Sequence, residues 1–96
     1  MKVALSEQAW GDLLEIGQHI AAHNSSRASS FIDELYEACL GLASLPYAFP
    51  VHPDYTEEGI RRRIFRRYVI FYRVQAEKIE ILHILHGARD HKEHLT

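Results

Sequence analysis

Six of the chain's eleven basic residues lie between Arg61 and Arg73, and four of its seven histidines lie between His83 and His94. Guanidinium groups bind carboxylate or phosphate oxygens through paired, charge-assisted hydrogen bonds. An unperturbed imidazole titrates near pH 6.5 and can act as a general acid or base. Any anionic partner would therefore meet the C-terminal half. His83 and His86 stand three apart in a strand-like run and face opposite sides, so they are not expected to share a metal. His91 and His94 can share a helix face, but two histidines without a third ligand predict no metal site. Tyr68, Phe71 and Tyr72 could stack on bases, although aromatic residues at this spacing read as sheet packing. For Arg62, Arg66 and Arg67 the plain alternative is a solvated face, or ion pairs with Glu57, Glu58, Asp90 and Glu93.

The 96 residues predict one domain, 1–96, with one modest core. Hydrophobic residues make up 47% and charged residues 25%, a balance that predicts a folded globule. The formal net charge of -2 conceals a division: residues 1–58 hold two basic and nine acidic residues, and residues 59–96 hold nine and four. A plain nucleic-acid binder would be basic overall, so sequence-specific DNA binding by this chain alone is not expected. One cysteine, Cys39, fits a reducing compartment. The opening Met1-Lys2-Val3-Ala4-Leu5 lacks the apolar run of an export signal, and no stretch is long enough to span a membrane. A cytoplasmic protein without cofactor is expected.

Lys2 to Leu5 reads as an opening strand, with Ser6 as the cap of a first helix. Ala9, Leu13, Ile16 and Ile20 form an apolar stripe along that helix to about His23. After Asn24-Ser25-Ser26 the same period returns through Ala28, Phe31, Leu35, Cys39 and Leu42, predicting an antiparallel helical hairpin. Asp12, Glu15, Asp33, Glu34 and Glu37 lie off the stripes, which predicts acidic outer faces. Prolines 46, 50 and 53 with Gly59 mark residues 46–59 as an ordered surface loop. In the strand that follows, Ile60 and Ile64 fall on one face and Arg61 and Arg63 on the other. Tyr68–Val74 and Ile79–Leu85 complete a three-stranded meander whose last two strands are central, and Ala88–Leu95 forms a short helix or tail. The predicted fold is α+β, in the order β-α-α-β-β-β, with the hairpin packed on a small antiparallel sheet.

Gly59-Ile60-Arg61-Arg62-Arg63-Ile64, Tyr68-Val69-Ile70-Phe71-Tyr72-Arg73-Val74 and Ile81 through Asp90, closing on His-Gly-Ala-Arg-Asp, resemble the C-terminal half of the RelE/ParE toxin superfamily, and its ParE-like members in particular. The resemblance implies the toxin of a type II toxin–antitoxin pair, neutralised by a cognate ParD-like antitoxin. ParE-like members block DNA gyrase, whereas RelE-like members cleave messenger RNA on the ribosome. Acidic residues of the antitoxin are expected to meet Arg61, Arg63 and Arg89, and Arg67 is expected on a surface that binds either antitoxin or target. The antitoxin's apolar residues are expected on the hairpin, at Leu13, Ile16 and Tyr36, and along the sheet edge.

Metal-free RNA cleavage needs a base for the ribose hydroxyl, an acid for the leaving oxygen and cations for the phosphate. Arg61, Arg63 and Arg89 match basic positions of the nuclease branch and Arg66 or Arg67 a further one, with His91 and His94 as the available acid and base. Leu95 stands where that branch has a tyrosine, which argues against cleavage and for gyrase inhibition. A further alternative is an interaction module that binds antitoxin without being toxic. The tail from Asp90 to Thr96 holds Leu95 as its one large apolar residue, so it is expected to serve toxicity while contributing little to folding.

Overall fold

The computed structural model describes residues 1–88 and 91–95. Strand β1 (Lys2–Leu5) leads into helix α1 (Glu7–His23), and helix α2 (Ser25–Leu40) is extended by a 3-10 turn, Gly41–Ala43. Strands β2 (Arg61–Phe65), β3 (Tyr68–Gln75) and β4 (Lys78–His86) follow, and α3 (Lys92–Leu95) is a single turn. The helix caps are those the sequence predicts. Ser6 Oγ accepts from the Ala9 amide at 3.0 Å, and Asn24 Oδ1 accepts from the Arg27 amide at 3.2 Å.

The sheet order is β1-β4-β3-β2, with β3 and β4 central as expected. The meander is antiparallel, but β1 pairs with β4 in parallel, so the sheet is mixed and not wholly antiparallel. Period-two patterning identifies a strand without specifying its partner's direction, and four residues carry no further signal.

One face of the sheet, carrying Ile70, Tyr72, Ile79, Ile81 and Ile84, packs on Leu13, Ile16, Phe31, Leu35 and Cys39 of the hairpin. Burial raises the Cys39 thiol to about 12, well above ordinary reactivity, even with the Arg63 charge nearby opposing the shift.

The other face forms a second small core of Ile60, Val69, Phe71 and Leu85, which Tyr55 covers from the loop and Leu95 from the tail. Two expectations change here. Residues 46–59 are more than a surface loop, because Pro53–Tyr55 forms a 3-10 turn that buries Tyr55 and His52. The tail also packs: the His91 ring lies 4.8 Å from Phe71 by centroid, and its Nε2 is 3.0 Å from the His86 carbonyl.

Because β1 stops at Leu5, the outer edge of β4 would be bare beyond Ile81. Side chains of the first helical segment take over. Ser6 Oγ donates to the Leu82 carbonyl at 2.8 Å, and Asp12 Oδ2 accepts from the Ile84 amide at 2.8 Å and lies 2.9 Å from His83 Nδ1. Asp12 therefore belongs to the sheet edge, not to the acidic outer face where the sequence placed it.

Candidate functional site

The pleat of β2 divides its arginines. Arg61 and Arg63 lie opposite Tyr72 and Ile70, on the helix-bearing face, whereas Arg62 and Ile64 lie opposite Phe71 and Val69, on the other. Arg61 donates to the Phe49 carbonyl at 2.7 Å, with its guanidinium over the Tyr47 ring. Arg63 donates to the Ala38 carbonyl at 2.7 Å and lies over the Phe49 ring. Both side chains thus fasten the α2 end and the loop that leaves it, where a cation also suits the negative end of the helix dipole.

Arg66 occupies a turn position with φ 56° and pairs with Glu34 at 3.0 Å. Arg27 grips the same carboxylate, and its hydrogen bond is the largest cause holding Glu34 below the usual carboxylate range. Among the described residues, the arginines' acidic partners are thus Glu34 and, for Arg73, Glu80. Among the described residues, Arg67 has neither a hydrogen-bonding nor an ion-pairing side-chain partner.

The histidines belong elsewhere. His91 sits on Phe71, and the His94 ring lies 5.7 Å from that of His83, which pairs with Phe71 across the strands. The sheet consequently separates the His91 and His94 rings from the guanidiniums of Arg61 and Arg63. Arg89, the remaining cation in both expected sets, lies outside the described residues. His83 and His86 face opposite sides, opposite Phe71 and Tyr68 respectively.

A family model described as ParE toxin of type II toxin-antitoxin system, parDE, matches residues 3–91. The chain belongs to the ParE toxin family. A solved structure titled "Chromosomal ParDE TA system from P. aeruginosa" shares the fold, with a TM-score of 0.78 at 20% identity, covering 90% of this chain and 95% of that one. No curated protein matches.

In this ParE toxin, Leu13 and Ile16 are only 5% and 7% exposed and belong to the core, so they leave little of their own surface for an antitoxin. Their stripe is the one that meets the sheet. The outer side of the hairpin is an apolar groove of about 460 Å³, with Trp10, Leu14 and Ile32 around the small residues Gly17, Ala21 and Ala28, and Leu13 also contributes to its lining. Tyr36 stands beside it, its ring 5.7 Å from that of Trp10. The four-residue spacing of Trp10, Leu14 and Gln18 could have revealed a second, weaker stripe.

His52 had no signal in the sequence. It is 8% exposed, and its Nδ1 accepts from the Asp54 amide at 3.1 Å, which requires that nitrogen to be unprotonated. Burial pushes its pKa below 6.5, with the Arg62 charge adding to the shift and Asp54 opposing it. The unfolded chain therefore takes up the proton first. Stability from this group is present above pH 6.5 and is lost as pH falls toward the folded value. Thermal melting midpoints should drop between pH 7 and pH 5, and His52→Gln should flatten that slope. An equal slope in the variant would place the acid sensitivity in another group.

Proposed function

We propose that this toxin arrests growth by inhibiting DNA gyrase without cutting nucleic acid, and that a cognate antitoxin neutralises it. The observation that carries this reading is the division of the nuclease candidates by the sheet. General acid–base cleavage requires its acid, base and cations to converge on one phosphate within hydrogen-bond reach. Here Arg61 and Arg63 are tied to the carbonyls of Phe49 and Ala38 on one face, while His91 and His94 lie on the other, and where His91 does share a hollow with Arg62, Arg66 and Arg67 its Nε2 is held at the His86 carbonyl. Family membership supports the toxin assignment.

The purified toxin should inhibit supercoiling by gyrase, and induced cells should accumulate gyrase-dependent DNA breaks while keeping intact messenger RNA. Cleavage of messenger RNA on translating ribosomes by the purified toxin would overturn the reading.

The antitoxin is proposed to lay an amphipathic helix in the hairpin groove, where Trp10 and Leu14 are 48% and 69% exposed. Leu14→Glu should weaken antitoxin binding by about a hundredfold, as expected when a charge is placed in an apolar anchor site. Fluorescence titration with the labelled antitoxin measures this directly, and an unchanged dissociation constant would move the docking site off the hairpin.

A further inference from the structure

Ile64 is 72% exposed, more than any other large apolar side chain described. Its backbone also points outward. The Arg62 amide donates to the Pro50 carbonyl and the Ile60 carbonyl accepts from His52, so the even-numbered positions of β2 face away from β3. The loop covers the edge at Ile60 and Arg62 and then ends. Among the described residues, nothing pairs with the outward N–H and C=O of Ile64. Arg62, Arg66 and Arg67 surround this opening, and together with Ile64 and His91 they line a shallow hollow of about 430 Å³.

We propose that the open end of β2 around Ile64 docks an acidic, extended segment of another protein, and that this is the face the toxin turns to its target. Arg62 and Arg67 favour carboxylates beside Arg66, which already holds Glu34, the unpaired amide and carbonyl offer two strand-type hydrogen bonds, and Ile64 supplies an apolar anchor. A second copy of this chain fits poorly, because symmetric pairing of two β2 edges would set Arg62, Arg66 and Arg67 of both copies against one another. A nucleic-acid backbone would use the cations, but it would leave the Ile64 carbonyl unpaired and gain nothing from the side chain. The inference rests on the toxin reading for the identity of the partner, and it assigns a surface distinct from the hairpin groove.

The test compares the full chain with Ile64→Thr and with Arg67→Glu in three measurements: growth arrest on induction, inhibition of gyrase supercoiling, and antitoxin binding with thermal melting as controls of folding. Each variant should lose growth arrest and gyrase inhibition by about tenfold or more while melting and binding antitoxin like the parent. Variants that arrest growth as the parent does would overturn the docking surface and leave the gyrase reading standing. Growth arrest that depends on Ile64 and Arg67, in a toxin without effect on gyrase, would instead overturn the gyrase reading and keep the surface. Loss with Arg67→Glu alone, accompanied by toxin binding to a short DNA duplex, would show a phosphate contact and overturn the protein-segment assignment.

Discussion

A chain ending at Ala88 is expected to lose about 2–3 kcal/mol of stability together with its toxicity, because the tail covers the second core. Burial of a partly exposed leucine accounts for about 1 kcal/mol, and the aromatic contact of His91 with Phe71 for about another 1 kcal/mol. The His91 hydrogen bond to the His86 carbonyl adds to these. Urea denaturation of the shortened chain should show a lower midpoint, and toxin expression should no longer arrest growth. A midpoint equal to that of the full chain would restore the simpler expectation that the tail serves toxicity alone.

Phe71→Ala should be more damaging, at about 3–5 kcal/mol, which is a large fraction of the roughly 5–15 kcal/mol that holds a small domain folded. Phe71 is wholly buried, with the His52 ring at 6.3 Å and the His91 ring at 4.8 Å by centroid. Its removal takes away the surface on which both the loop and the tail rest. Phe71→Leu should recover most of the loss, since it refills much of the volume. Hydrogen exchange of the Pro53–Tyr55 amides provides the check. If Phe71→Ala leaves their protection intact, the loop is held by Tyr55 and His52 without it.

The hairpin and the meander were legible because each buries one continuous stripe, and Ser6 and Asn24 mark the helix starts with local chemistry. The pleat rule also separated Arg61 and Arg63 from Ile60 and Ile64 correctly. It could not show where those guanidiniums end, since the carbonyls of Phe49 and Ala38 reach them only after the helix and loop fold back. Residues 46–59 carry no period, so Tyr55 and His52 looked like surface residues until the sheet beneath them was in place. Asp12 was misplaced for a similar reason, since its role exists only because β1 ends opposite Ile81, short of the far end of β4. Ile64 looked like a companion of Ile60, but the loop that buries Ile60 stops before reaching it.

The parallel pairing of β1 with β4 has a consequence for synthesis. Ser6 finds its hydrogen-bond partner, Leu82, 76 residues later in the chain, and among the described residues β1 has no neighbour in the sheet but β4. While the chain is still emerging from the ribosome, the hairpin can form from local contacts, but the strand that closes the first core and receives β1 has yet to appear. Folding of the sheet must therefore wait until β4 has been made. A nascent toxin cannot present the edge of its sheet early, which leaves an interval in which a partner already present could meet the hairpin before the sheet is complete.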